Sequence, residues 1–264
     1  MGPYPKVRAL ERGLAILIEL NMRGRARASD LAEASGVDRS TTYRMLSTMA
    51  DLDLVIRSEV DGAWTLGAGV RRLSDGFTDS DALLSAVARE IVRMLPEVRW
   101  PSSFGSFHRG RVIIRETTHH LSNFTVHRAM VGRYRPLTRS SIGQAILSYA
   151  TDDERSAMLE VAIREGAPDA AEAADKKAIK RMVTATRERG YSASTGGVEQ
   201  SISAIAVPIR YDGRVLGAVS VAFFRKVMTV EDAAERHLPR LRSCVEAIEA
   251  TYAETHRLPV YTST

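Results

Sequence analysis

The chain has 264 residues, 44% of them hydrophobic and 26% charged, with a formal net charge of +5. That is room for one large or two modest domains, and the mild positive balance favours an anionic partner contacted locally rather than along a uniformly basic surface. A single cysteine excludes an intrachain disulfide and a multi-cysteine zinc site, and neither a bilayer-length apolar run nor the apolar core of a secretory signal is present, so a cytoplasmic protein with no membrane partner is expected.

Residues Val7 to Asn21 read as an amphipathic helix, with Leu10, Leu14, Leu17 and Ile18 at helical spacing beside Ala15. Gly24 breaks it in the turn MRGRARAS. Ser29 is expected to cap a short second helix, SDLAEASG, whose Asp30 suits the helix dipole without forming a strict capping box. Gly36 ends that helix, and Asp38 is an N-cap for a third, Arg39 to about Asp51. Two strand-like pieces follow, LVIRS and AWTLG, joined at the hairpin signal Asp61-Gly62. Helix, helix, turn, helix, hairpin is the element order of a winged helix-turn-helix.

The third helix divides its side chains. Thr42, Met45, Leu46 and Met49 recur at spacings of three and four and are expected to pack inward. Ser40, Tyr43, Arg44 and Ser47 fall on the other face, with Arg39 and Thr41 near its start. Hydroxyls at a helix N-terminus suit phosphate contacts, and Arg44 has the fork that pairs with guanine O6 and N7. Tyr43 or Thr41 is placed for a thymine methyl or a phosphate, and Arg57 in the wing for the backbone or minor groove. From Met1 to Thr78 there are 11 basic and 10 acidic residues, a net of +1, so positive charge must be concentrated on one face, with Arg23, Arg25 and Arg27 as candidates.

Gly67 to Leu95 reads as helical with a break near Gly76–Ser80, ended by Pro96. From Val98 the texture alternates, with hairpin signals at Arg109-Gly110 and Asp212-Gly213. Helices are expected over Ser141–Ala150, Asp152–Arg164, Ala170–Arg189 (stopped by Gly190), and about Val230–His256. Strands and helices around one antiparallel sheet make this half an α+β domain. Cys244, within LRSCVEAIEA, is expected to be a buried structural thiol.

Between Arg109 and Arg139 lie seven arginines and one acid, Glu116. That density suits a small carboxylate, which arginine binds in bidentate fashion, and Arg115 is the candidate contact; surface charge or subunit salt bridges account for most of the others. The segment LTRSSIGQAIL opens a helix near Ser141 whose first N–H groups offer an anion site.

Several stretches together resemble the IclR family of bacterial transcriptional regulators: VRALERGLAIL, LAEASGVDRSTTYRML, WTLGAGVRRL, YRPLTRSSIGQAIL, ERGYSAS and AIAVPIRYDGRVLGAVSV. The resemblance covers nearly the whole chain. It implies a winged helix over residues 1–67, a helical linker over 68–96 and a GAF-like effector domain over 97–264, assembled as a dimer or tetramer. Carried over by position, Ser141, Ile142, Glu199, Ala204 and Ser220 become effector-binding candidates. The chain departs from the family where Ala204 replaces a frequent cysteine and Glu199-Gln200 an acidic pair, which fits a larger, more apolar ligand. Trp100, Phe104, His127 and Met130 are candidates for the ring contacts.

A narrower resemblance, in PEVRWPSSF, VIIRETTHHLSNFTVHRAMVGRYRPL and MTVEDAAERHLPRL, is to the family members that activate 3-(hydroxyphenyl)propionate catabolism. The partners implied are a palindromic double-stranded operator, an aromatic carboxylate, further copies of the chain and RNA polymerase. A short aliphatic 2-oxo acid is the alternative effector, and an architectural DNA binder without a ligand the alternative role. No cofactor and no catalysis are expected: ETTHH lacks metal-site spacing, LGAGVRRLSDG lacks the third glycine of a dinucleotide loop, and there is no GxSxG or P-loop.

Overall fold

The computed structural model describes residues 5–75, 82–125, 127 and 129–257. The chain divides into two compact units, Met1–Thr78 with His127–Ala129, and Asp79–Val126 with Met130–Thr264. The division falls inside the segment read as a linker, whose expected break at Gly76–Ser80 lies outside the described residues.

The first unit runs α1 (Arg8–Arg23), β1 (Arg25–Ala26), α2 (Ala28–Ser35), α3 (Arg39–Asp51), β2 (Val55–Arg57) and β3 (Trp64–Leu66). Its strands form a small antiparallel sheet in the order β1-β3-β2. Ile16, Leu20, Leu31, Leu46, Val55 and Trp64 make one core. Asp38 caps α3 as expected, its carboxylate accepting from the Thr41 N–H at 2.9 Å. Capping of α2 differs from expectation: Arg27, not Ser29, is the N-cap, and Asp30 reaches back to the Arg27 N–H at 3.3 Å.

The apolar face of α1 also differs. Gly13, Ile16 and Leu20 are the buried residues, with Leu17 packed beside them. Val7, Leu10, Leu14 and Ile18 are between 48% and 67% exposed. The helix carries two apolar stripes, and the subunit covers only one.

A 3-10 turn (Ala68–Arg71) and α4 (Arg72–Asp75) follow the wing. The second unit begins with α5 (Ala82–Val98), which continues through Pro96 rather than ending there. Next come β4 (Ser102–His108), β5 (Arg111–Thr117), β6 (Tyr134–Pro136), α6 (Ser141–Tyr149), α7 (Asp152–Arg164), α8 (Ala170–Ala174), α9 (Lys176–Arg189), β7 (Ser192–Thr195), β8 (Ile202–Tyr211), β9 (Arg214–Phe224) and α10 (Val230–Arg257). The expected helix over Ala170–Arg189 is split at Asp175, whose carboxylate caps the second piece at the Lys177 and Ala178 N–H groups. Both expected hairpin turns are present, with positive φ at Arg109, Gly110, Asp212 and Gly213.

The six strands form one antiparallel sheet, β6-β5-β4-β9-β8-β7. Strand alternation gives it two unlike faces. On one, Phe104, Ile205, Ile209, Val219, Val221 and Phe223 pack against α5 and α10. On the other, Val112, Ile114, Ala206 and Ala218 pack with Ile142, Ala145 and Ile146 of α6. Cys244 lies within the α10 core, and burial pushes its thiol up to about 12. Among the described residues no helix is long and apolar enough to cross a membrane.

Candidate functional site

The outward face of α3 carries Arg39, Ser40, Tyr43, Arg44 and Ser47, all exposed, while Thr41 is partly covered. Thr42 and Leu46 are fully buried on the opposite side, with Met45 and Met49 against the same core. The helix is therefore held by one face and offers the other. The Asp38 cap orders its first turn, and the Ser40 hydroxyl donates to the same carboxylate at 2.8 Å. Those hydrogen bonds, the Thr41 N–H first, hold the Asp38 carboxyl at about 2.

Arg57 is exposed in the wing and stands over the Trp64 ring at 6.0 Å. The charge expected on Arg23 and Arg25 is largely engaged inside the unit. Arg23 pairs with Glu19 at 2.6 Å. Arg25 donates to both Asp61 oxygens at 2.5 and 2.6 Å and to Ser58 Oγ at 3.3 Å, tying β1 to the wing turn. That guanidinium holds the Asp61 carboxyl well below the ordinary range.

In the second unit, Ser141, Ile142, Ala204, Ser220 and Met130 are all buried. Ser220 pairs in register with Ala206 and Ser103, and Ala204 lies two residues before Ala206 on the same side of β8. Ser220, Ala204, Ile142 and Met130 thus share the α6 side of the sheet. Two further hydroxyls join them. Ser103 and Thr117 stand 3.0 Å apart on the same face. Neither was singled out from sequence, although the alternation in SSFGSF places Ser103 in step with Gly105 and out of step with Phe104.

Ser140 caps α6, its hydroxyl accepting from the Gly143 N–H at 3.1 Å. The N–H groups of Ser141 and Ile142 stand ahead of that bond, and the Ser141 carbonyl accepts from Ser192 Oγ at 2.6 Å. Gly143 lets the first turn of α6 pass close to the strand-end backbone: a Cβ there would lie 2.0 Å from the Leu137 carbonyl oxygen.

Trp100 and Phe104 are corrected by the structure. Both belong to the core on the α5 and α10 side, where Trp100 meets Phe124, Phe223 and Phe224. Phe104 pairs with Val219, one step out of phase with Ser103 and Ser220, so its ring points away from the other candidates. His127 falls outside the second unit. Arg115 is exposed, next to a shift in β4–β5 register.

The inward cation is instead Arg135. Its side chain is 16% exposed, and Glu199 lies 3.7 Å from it. Burial pushes its guanidinium below the ordinary arginine range; Glu199 opposes the push and Arg133 adds to it. His119, in the ETTHH stretch that lacks metal-site spacing, is buried with Nδ1 2.7 Å from Thr125 Oγ1. Among the described residues no group of three metal-ligating side chains occurs.

An α3 with one buried and one offered face, followed by a wing, is the geometry of a DNA-reading helix, and the second unit is a layered sheet with a polar patch on one side. Two family descriptions match in the same order: the IclR helix-turn-helix domain over residues 9–58, and the bacterial transcriptional regulator IclR C-terminal domain over residues 104–250. The chain belongs to the IclR family.

This IclR-family chain is similar to the transcriptional repressor IclR of Escherichia coli K12, 29% identical over 195 residues that span 71% of this chain and 69% of that one. The repressor AllR of the same organism is 26% identical over 217 residues, 81% of this chain and 79% of that one. Among solved structures, an IclR homologue from Microbacterium hydrocarbonoxydans complexed with 4-hydroxybenzoate has a TM-score of 0.60 at 25% identity, covering 93% of this chain and 99% of that one. A Rhodococcus regulator with a TM-score of 0.66, at 23% identity over 95% of this chain and 100% of that one, shares the fold. The protein is an IclR-family DNA-binding transcriptional regulator, and the relatives it matches are regulators rather than enzymes.

Proposed function

We propose that the protein controls transcription in response to a small aromatic carboxylate, with residues 1–67 reading the operator, 68–96 as linker and 97–264 binding the ligand. The observation that carries the ligand reading is the α6 side of the sheet. Small side chains (Ser103, Thr117, Ala204, Ser220) share the α6 side of the sheet, and Arg135 lies on the same side. Donors fixed around small side chains suit one anionic head on an apolar body. The 4-hydroxybenzoate complex of a family member supports the same class. The absence of Trp100 and Phe104 from this face favours a second reading, a short aliphatic 2-oxo acid.

Thermal-shift and calorimetric screening of aromatic and aliphatic acids on the purified protein separates the two. A ligand that binds the native state raises its melting temperature by mass action. Response to aromatic acids supports the first reading, and response confined to pyruvate-like acids overturns it.

DNA recognition is assigned to Arg39, Ser40, Thr41, Tyr43 and Arg44 on α3, with Arg57 in the wing. A dimer is the proposed binding form. The exposed stripe Val7, Leu10, Leu14 and Ile18 is a contiguous apolar surface on a helix already packed on its other side. A second copy of α1 meets it with the same stripe, as two-fold symmetry requires, and two recognition helices then read the two halves of a palindrome. Ligand binding to one conformer of the second unit biases the spacing of those helices.

A further inference from the structure

We propose that Arg135 anchors the carboxylate of the effector, and that Glu199 occupies Arg135 until the effector displaces it. This rests on the reading of the second unit as a site for an organic acid, and adds to it which side chain holds the acid and which one is exchanged.

Register puts Arg135 there. It pairs with Val112 across β5 and β6, on the side that packs with Ile142 and Met130. Of the described arginines between Arg109 and Arg139, Arg109 and Arg115 are exposed, and Arg139 donates to the Pro168 carbonyl at 2.7 Å with Glu172 3.6 Å from its Nε. Arg135 is partly buried, its side chain 16% exposed, on the inner side of the sheet. Among the described residues its side chain meets Met130 Sδ at 3.6 Å and Glu199 Oε1 at 3.7 Å. A thioether is a weak acceptor, and 3.7 Å exceeds hydrogen-bond distance, so the carboxylate compensates the charge without satisfying the N–H groups. A guanidinium largely withdrawn from water, with only a thioether and a distant carboxylate beside it, is strengthened in its binding of a bidentate carboxylate. Neighbouring Arg133, with a buried Nε that has no hydrogen-bond partner, adds positive charge beside Arg135, which favours an anion there.

Glu199 sits on a segment that displacement would move. Its carbonyl accepts from the Ile202 N–H at 3.0 Å, and Gln200 O accepts from Arg225 at 3.2 Å. In the same turn Gly197 lies so close to Arg139 that a Cβ would stand 2.5 Å from its carbonyl oxygen. Arg139 immediately precedes Ser140, the cap of α6. Releasing Glu199 therefore loosens the loop that abuts the start of the helix whose N–H groups are offered to the ligand.

The test is calorimetric titration of the full chain with benzoate, 4-hydroxybenzoate and 3-(3-hydroxyphenyl)propionate, each beside its neutral amide. The unaltered protein is expected to prefer the acid. R135Q is expected to weaken acid binding about ten- to a hundredfold while leaving the amide unchanged, with R135K between the two. E199Q, which removes the competing charge, is expected to tighten acid binding. Acid binding unchanged in folded R135Q, or weakened in E199Q, overturns the exchange while leaving the acid-sensing reading intact. If R135Q does not fold, R135K and E199Q decide on the same criteria. An unaltered protein that binds none of these acids overturns the anchor together with the reading beneath it.

Discussion

Ser220 Oγ donates to the Ser103 carbonyl oxygen at 3.4 Å across neighbouring central strands, while Phe104 and Val219, one residue along each strand, are paired on the opposite face. A single step in register thus separates a hydroxyl-bearing surface from a hydrophobic core. Substitutions on the two sides should fail differently. Phe104→Ala is expected to cost about 3–5 kcal/mol in urea unfolding, the usual penalty for emptying a fully buried aromatic site. Ser220→Val is expected to weaken acid binding in calorimetry with a smaller effect on stability.

Arg44→Ala should weaken specific operator binding by about 1–3 kcal/mol, the worth of a bidentate base contact, and relax preference at one position of each half-site. Arg57→Ala should act on all sequences alike and lower the slope of log K against log salt by about 1 for each phosphate that the wing no longer neutralises. Fluorescence anisotropy over a salt series measures both, and an unchanged footprint in the first variant removes Arg44 from the reading face.

Leu14→Glu places a charge in the middle of the exposed α1 stripe. The fold of the single chain should survive, because Leu14 is about half exposed and Ile16 and Leu20 carry the core side of the helix. Sedimentation should show a smaller particle than the parent, and operator affinity should fall as half-sites are read singly. A parent-like sedimentation profile would place the subunit interface elsewhere.

Asp38 gives the first unit an acid-sensitive contribution. Its carboxyl lies at about 2 in the folded chain against an ordinary 3.8. The cap therefore stabilises the fold fully above about pH 4, and that contribution disappears as pH falls through about 2. Asp38→Ala should lower the melting temperature at neutral pH and flatten its fall between those two values, and Asp38→Ser should restore part of the stability through its own capping oxygen. The readout is the melting temperature across that pH range.

Local signals carried far in this chain. Asp38, Asp61-Gly62, Arg109-Gly110 and Asp212-Gly213 mark their cap and turns because each acts through its own backbone neighbourhood. The α3 boundaries, Arg39 to Asp51, follow from the same chemistry. Where two local solutions were equally good, context chose. Arg27 rather than Ser29 begins α2, and Asp175 divides what periodicity joins. Pro96 continues a helix that its ring was expected to end.

The winged helix-turn-helix order of the first half and the two hairpins and flanking helices of the second were determined by the sequence alone, because periods of 3.6 and 2 and the demands of tight turns are properties of short segments, whereas the short strands β1, β6 and β7 carry too little pattern to be read that way. Only the tertiary structure decided which side of the sheet met α6. That choice placed Trp100 and Phe104 in the α10 core and Arg135 on the α6 side, and in the first unit tertiary packing likewise left one stripe of α1 uncovered. Alternation along a strand states that two faces exist, but which one is covered by which helix depends on residues far away in the chain.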